Sequence, residues 1–121
     1  MEMRPVITNS ELNETIRFLK VKARENKAKI WAVIAEQLSR PRSRRAVLNL
    51  NHISRASKPD EVILVPGKVL AAGYIKHPVT VGAFQFSHSA KSKIEQAGGK
   101  CIGIRDFVAQ YPKGSNVQIL R

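Results

Sequence analysis

The 121-residue sequence predicts an α/β protein in which two basic N-terminal helices are followed by short strands that alternate with short helices. Two observations lead to this prediction. In roughly the first forty residues, apolar side chains recur at spacings of three and four, which is the period of an amphipathic helix. Further along, short apolar runs are separated by glycine, proline and serine turn signals, which is typical of short strands between helices.

The length of the chain is that of one domain. We expect a single domain over 1–121, with a helical part at about 8–40, a basic loop at 39–46 and an α/β core at about 46–121. The hydrophobic content of 43% is ordinary for a globular protein and allows a core of modest size.

The first helix is predicted to begin at Thr8–Glu11, which has the form of a capping box. One apolar stripe follows, formed by Leu12, Ile16, Leu19 and Ala23. The second helix is predicted over about 27–38, and Pro41 prevents it from continuing. Within it, Trp31 is interpreted as a core anchor rather than as a side chain that stacks on bases.

The remainder of the chain contains six predicted strands, at 46–51, 62–65, 69–75, 79–86, 100–104 and 116–120. The 62–65 run is continuously apolar, as in a buried strand, and Pro66–Gly67 is interpreted as a turn after it. Short helical segments are predicted at 52–55, 88–97 and 105–111. Ser87 is the predicted N-cap of the helix at 88–97, and Gly98–Gly99 is predicted to close it.

Positive charge is concentrated between Arg17 and Arg45. These 29 residues hold ten Lys or Arg and two acids, and so carry +8 of the net charge of +12. Four arginines stand close together near the end of this segment, at Arg40, Arg42, Arg44 and Arg45. Such a cluster repels itself unless a polyanion neutralises it, and a nucleic-acid backbone is the commonest such partner.

The cationic residues fall into two candidate sets for RNA binding. The first set follows the helical part and the basic loop: Arg17, Lys20, Arg24, Lys27, Lys29, Arg40, Arg42, Arg44 and Arg45. The second set lies in the core: Arg55, Lys68, Lys76, His77, Ser87, His88, Lys91 and Lys93. A solvated surface charge is the alternative for any single lysine of the second set. At the start of the 88–97 helix, the helix dipole and its free amides favour a bound phosphate.

No catalytic or metal-binding pattern is evident. The acids Asp60 and Glu61 are adjacent in a turn, which separates their side chains, and the three histidines (His52, His77 and His88) are scattered. The residues thus form no convincing catalytic constellation, and we expect no zinc site. Cys101 is the only cysteine and is interpreted as a small buried hydrophobe in a chain from the reducing cytoplasm.

Membrane and base-reading signatures are also missing from the sequence. No apolar run approaches the ~20 residues that a transmembrane helix needs. The aromatic residues fall mostly in apolar runs, so stacking on single-stranded bases is not supported and contact with the backbone is expected instead.

Three segments, taken in order, resemble the archaeal and eukaryotic large-subunit ribosomal protein L eighteen-e family. They are Trp31–Leu50, Val65–Leu70 and Val79–Gly99. The last, VTVGAFQFSHSAKSKIEQAGG, is the most diagnostic. The resemblance runs from about Asn9 to Leu120, and the absence of a long basic tail makes the chain similar to archaeal members.

This resemblance implies a core of irregular β-β-α repeats like that of the bacterial large-subunit protein L fifteen. It also implies a cytoplasmic structural constituent of the large ribosomal subunit that binds large-subunit ribosomal RNA and supports subunit assembly. Its partners would be that RNA and neighbouring large-subunit proteins, with no membrane, small-molecule substrate or cofactor, and the resemblance implies that the chain is not an enzyme. By position, the residues on RNA would be Arg40, Arg42, Arg44, Arg45, Ser87, His88 and Lys91. The alternatives are a free basic DNA- or RNA-binding regulator and a small enzyme of RNA metabolism.

Overall fold

The computed structural model describes residues 9–41 and 45–120, and at Asn9 the backbone alone. The predicted capping box begins at Thr8 and therefore lies outside the described residues, as do Arg42 and Arg44. The model confirms the α/β class, with five helices and five strands in the two described ranges.

The chain begins with a pair of helices, α1 (Asn9–Glu25) and α2 (Lys29–Leu38). The predicted apolar stripe of α1 faces inward, and Leu12 and Leu19 are buried. Trp31 of α2 is fully buried, as predicted, and its indole N–H donates to the carbonyl of Pro112 at 2.8 Å. This hydrogen bond and the burial of the ring tie the helix pair to the C-terminal part of the chain.

The core consists of a parallel sheet with helices between its strands. The strands are β1 (Ala46–Asn49), β2 (Val62–Leu70), β3 (Thr80–Phe86), β4 (Lys100–Gly103) and β5 (Val117–Ile119). The helices are α3 (Leu50–Ala56), α4 (His88–Gln96) and α5 (Ile104–Gln110). β2 pairs with β3, and β3 pairs with β4. The other edge of β2 is shared, because β5 pairs with Val62–Leu64 and β1 pairs with Gly67–Leu70.

The predicted turn at Pro66–Gly67 is wrong, because β2 runs straight through both residues. Proline fits there because the edge of β2 changes partner between Leu64 and Gly67, so no ladder hydrogen bond is lost on that side. On the β3 side the register shifts at the same place, which is a β-bulge. Gly67 lets β1 approach closely, since a Cβ there would overlap the carbonyl oxygen of Ala46.

The predicted strand at 69–75 is also wrong. Val69 and Leu70 are the end of β2, and residues 71–79 form a crossover without regular structure that leads to the parallel strand β3. This connection has nine residues, fewer than the dozen or so that a parallel crossover usually needs. The predicted strand at 46–51 was too long at its end, because α3 already begins at Leu50.

Helices cover both faces of the sheet. On one face α3 and α4 bury the apolar side chains of Ile63, Val65 and Val81. On the other face α1, α2 and α5 pack over Leu64 and Ile102. Gly82 allows the ring of Phe107 to lie directly on β3, because any Cβ would overlap it. The carboxyl ends of the strands meet at one edge of the sheet, which is where α4 and α5 begin.

Candidate nucleic-acid interface

The solvent-facing side of α1 carries a row of three cations. Arg17, Lys20 and Arg24 are separated by three and four residues, and at about 100° per residue this spacing places them on one flank of the helix. All three are exposed. No carboxylate lies within ion-pairing distance of them in the described ranges. We call this row the helix surface.

The acids of α1 are centred on the neighbouring flank, which meets the cation row at Arg17. Glu25 pairs with Lys22 at 3.1 Å, and Glu14 lines a shallow groove between α1 and α5 together with Arg17. Arg105 of α5 reaches this flank, where its guanidinium lies 5.0 Å from the centre of the Phe18 ring. Because no ion pair joins these acids to Arg17, Lys20 or Arg24 in the described ranges, an external polyanion is the natural partner of the helix surface.

Lys27 and Lys29 continue the positive charge onto the connection between α1 and α2, and both are exposed. Lys27 has a positive φ of 53°, which lets the chain reverse directly after α1. The connection is held by Lys113, whose ammonium donates to the carbonyl of Asn26 at 2.7 Å. The C-terminal part of the chain therefore fixes where these two lysines lie.

The ends of the basic loop are described, whereas its centre is not. The Arg40 guanidinium lies 3.5 Å from the Glu36 carboxylate, with both side chains largely exposed. The Nε of Arg45 donates to the carbonyl of Arg40 at 3.1 Å, so these two residues are in contact. An exposed pair such as Arg40–Glu36 is weak, and a phosphate can displace the glutamate.

The second candidate set lies around the start of α4, at the carboxyl edge of the sheet. Ser87 is the N-cap, as predicted, and its hydroxyl oxygen accepts from the N–H of Ala90 at 3.1 Å. His88 and Lys91 are exposed beside it. The positive end of the helix dipole adds to the charge of Lys91. We group Ser87, His88 and Lys91 with the exposed Lys76 of the 71–79 crossover under the name edge surface.

Two members of the predicted second set are turned into the protein. The Lys93 ammonium donates to the carbonyls of Ala71 and Gly73, at 3.0 and 3.1 Å, and thereby holds the 71–79 crossover against α4. The His77 Nε2 lies 3.4 Å from the carbonyl of Ser54, and its Nδ1 is buried without a partner among the described residues. Both side chains therefore support the fold at this edge.

The remaining members of the second set are isolated. Arg55 is exposed in the last turn of α3. Lys68 is half-buried in β2, opposite Val47 and Gln85 in the sheet register. Sequence reasoning also overlooked one cation, Arg105, because the spacing within a single element does not reveal that α5 faces α1.

Cys101 is half-buried beside α4, and burial raises the pKa of its thiol to about 11, with a further contribution from Glu95. The thiol is thus protonated at neutral pH, in agreement with its interpretation as a small hydrophobe. Among the residues described, no group of three or more His, Cys, Asp or Glu is arranged to hold a metal ion. The same residues contain no helix long and apolar enough to cross a membrane.

A basic α/β fold with unneutralised cations on two of its surfaces defines a polyanion-binding protein. The family described as "Ribosomal protein 60S L18 and 50S L18e" matches residues 3–121, and the chain belongs to this family. The resemblance seen in the sequence is confirmed.

Curated relatives cover nearly the whole chain. The large ribosomal subunit protein eL18 of Methanococcus maripaludis is 45% identical over 113 residues, which are 93% of this chain and 94% of that protein. The eL18 of Methanoregula boonei is 46% identical over 114 residues, 94% of each chain. That of Pyrobaculum aerophilum is 41% identical over 113 residues, 93% of each chain.

Proposed function

We propose that this chain binds large-subunit ribosomal RNA through its helix surface and its edge surface, mainly by contacts with phosphates. As a member of the eL18 family, it is a structural constituent of the large ribosomal subunit and not an enzyme. Its partners are the RNA and the neighbouring proteins of that subunit.

The observation that carries this proposal is the helix surface. Three exposed cations share one flank of α1, and no ion pair joins them to a carboxylate in the described ranges. A helix that merely needed solubility would gain from mixing the two signs, because oppositely charged neighbours stabilise it. A row of cations without ion pairs is instead suited to a phosphate backbone, which presents a negative charge every few ångströms.

The edge surface offers a different kind of contact. The first residues of α4 carry backbone N–H groups that lack an intrahelical partner, and His88 and Lys91 are exposed at this helix start. Backbone N–H groups at a helix start bind phosphate oxygens directly, and Lys91 supplies charge one turn further on. Two surfaces on one folded unit can hold two RNA segments at a fixed distance, which is how such a protein would support assembly of the subunit.

The proposal is tested by the triple substitution Arg17→Gln, Lys20→Gln and Arg24→Gln, with binding to large-subunit ribosomal RNA measured over a range of salt concentrations. Each lost phosphate contact should lower the slope of log affinity against log salt by about 0.7–0.9, so the three together should lower it by about 2–3. Because the three side chains are exposed, the unfolding midpoint should stay near that of the wild type.

A matched control removes the same charge elsewhere, with Lys22→Gln, Lys58→Gln and Lys100→Gln. None of these lysines belongs to the two proposed surfaces, so the control should reduce the slope much less than the test variant does. Equal slopes for the two triple variants would mean that net charge alone drives binding, and the helix surface would lose its role.

A further inference from the structure

One aromatic ring of the 71–79 crossover faces the solvent. Tyr74 is 67% exposed, more than the other large apolar side chains found exposed in the described ranges, Val47 at 55% and Val33 at 39%. It falls within the predicted strand at 69–75, in an apolar run. The crossover instead presents it to the solvent, two residues along the chain from the exposed Lys76.

The ring is held in a defined position. The Lys93 ammonium lies 4.2 Å from the centre of the Tyr74 ring, and the same ammonium donates to the carbonyls of Ala71 and Gly73. This cation–π contact covers one face of the ring and leaves the rest to the solvent. A side chain fixed in advance loses little conformational entropy when a ligand binds to it.

The backbone that carries Tyr74 is fixed as well. Gly73 has a φ of 86°, and a Cβ at this position would overlap the side-chain amide of Asn51. The N–H of Asn51 also donates to the carbonyl of Ala72 at 3.2 Å. The crossover is thus attached to α3 on one side and to α4 on the other, so the position of the ring follows from the fold.

We propose that Tyr74 is a stacking platform for an unpaired nucleobase of large-subunit ribosomal RNA. An exposed aromatic ring among cations is the arrangement that binds single-stranded nucleic acid, since the ring stacks on a base and the cations hold the adjoining phosphates. Lys76, two residues further along the crossover, is the exposed cation available for those phosphates. This inference rests on the proposed function, and it replaces the sequence-based expectation that stacking plays no part.

The test compares Tyr74→Phe with Tyr74→Leu in the full chain, measuring binding to large-subunit ribosomal RNA over a salt range. Phenylalanine keeps the ring, so its affinity should stay within about 2-fold of the wild type. Leucine keeps apolar bulk without a π face, and its affinity should fall on the order of 10-fold. The salt slope should be the same for both, because stacking releases no counterions.

A second readout is independent of affinity. Ultraviolet cross-linking of the wild-type complex, followed by mass spectrometry, should recover a nucleotide attached to the peptide that contains Tyr74. Thermal unfolding of the leucine variant shows whether it is folded under the binding conditions. If that variant is unfolded, the cross-link and the affinity of Tyr74→Phe decide whether the Tyr74 ring contacts a base.

The inference is overturned if Tyr74→Leu binds with wild-type affinity, which would mean that the ring contacts something other than this RNA. It is equally overturned if Tyr74→Phe binds as weakly as Tyr74→Leu, because the hydroxyl rather than the stack would then be the contact. Failure of the wild-type protein to bind the RNA would instead refute the proposed function, so the two failures are distinguishable.

Discussion

The helix surface and the edge surface carry similar charges but use them differently. On α1, the side chains of Arg17, Lys20 and Arg24 have no internal partner in the described ranges. At the carboxyl edge, Lys93 donates to two carbonyls and His77 points toward a third. One surface is a regular helix with exposed cationic side chains. The other adjoins an irregular crossover, and some of the nearby cations are needed to hold that crossover in place.

This difference shows that a count of basic residues overestimates the charge available to a ligand. A cation on a helix that is docked by its apolar face remains available, because the backbone hydrogen bonds of the helix are satisfied internally. A crossover of nine residues has carbonyls without such partners, and a nearby ammonium can satisfy them. Lys91 and Lys93 are two residues apart on α4, yet we assign them opposite roles.

The largest expected effect tests whether the two surfaces belong to one cooperatively folding unit. The predicted single domain requires that they do. Trp31→Ala removes a buried ring together with its hydrogen bond to Pro112, and should lower the free energy of unfolding by about 3–5 kcal/mol. Denaturant unfolding should still show a single transition when it is monitored by circular dichroism and by hydrogen exchange of the sheet amides. Val33→Ala, on the exposed side of α2, is the control and should cost far less.

Two separate transitions in the Trp31→Ala variant would indicate that the helix pair and the sheet unfold independently. The chain would then comprise two units, and the distance between the two surfaces would not be fixed by one fold.

The contrast within α4 is the next test. Lys93→Met removes two hydrogen bonds from an ammonium and its cation–π contact, and should destabilise the protein by about 2 kcal/mol. Lys91→Met should leave the unfolding free energy almost unchanged, because Lys91 is exposed, and should lower the salt slope of RNA binding by about 0.7–0.9. Chemical denaturation and a salt titration of both variants measure the two effects.

The contrast fails if the roles are exchanged. A stable Lys93→Met variant with a reduced salt slope would show that this ammonium reaches the RNA rather than the crossover.

The smallest expected effect is at Ser87. Ser87→Ala removes the hydroxyl that accepts from the N–H of Ala90, and should lower the free energy of unfolding by about 1 kcal/mol. Ser87→Asp keeps an acceptor at the N-cap and should preserve stability, yet its negative charge should weaken RNA binding. Thermal unfolding and RNA affinity of the two variants separate the capping role from the binding role. If Ser87→Asp binds RNA as the wild type does, no phosphate lies at this helix start.

The regular parts of the fold could be predicted from the sequence. The period of α1, the buried Trp31 and the cap at Ser87 depend on local spacing and on short-range hydrogen bonds, which the sequence displays directly. The conformation of Pro66–Gly67 could not be predicted correctly, because it depends on which strands lie beside β2. A Pro-Gly pair indicates a turn only where no neighbouring strand pairs with the segment on either side.

The candidate site was predictable to the same extent. The cations of the helix surface follow from the helical period alone. The inward position of Lys93, the exposure of Tyr74 and the approach of Arg105 to Phe18 depend on contacts between residues far apart in the chain. No pattern within a single element contains that information.

The central claim is that two separate surfaces of this chain both contact RNA phosphates. The most direct measurement is the salt slope of binding to large-subunit ribosomal RNA for the helix-surface triple variant, for Lys76→Gln with Lys91→Gln, and for all five substitutions combined. We predict slope losses of about 2–3, about 1.5–2 and their sum, respectively. A combined variant that loses no more slope than the helix-surface variant would contradict the claim, because only one surface would then be in contact with the RNA.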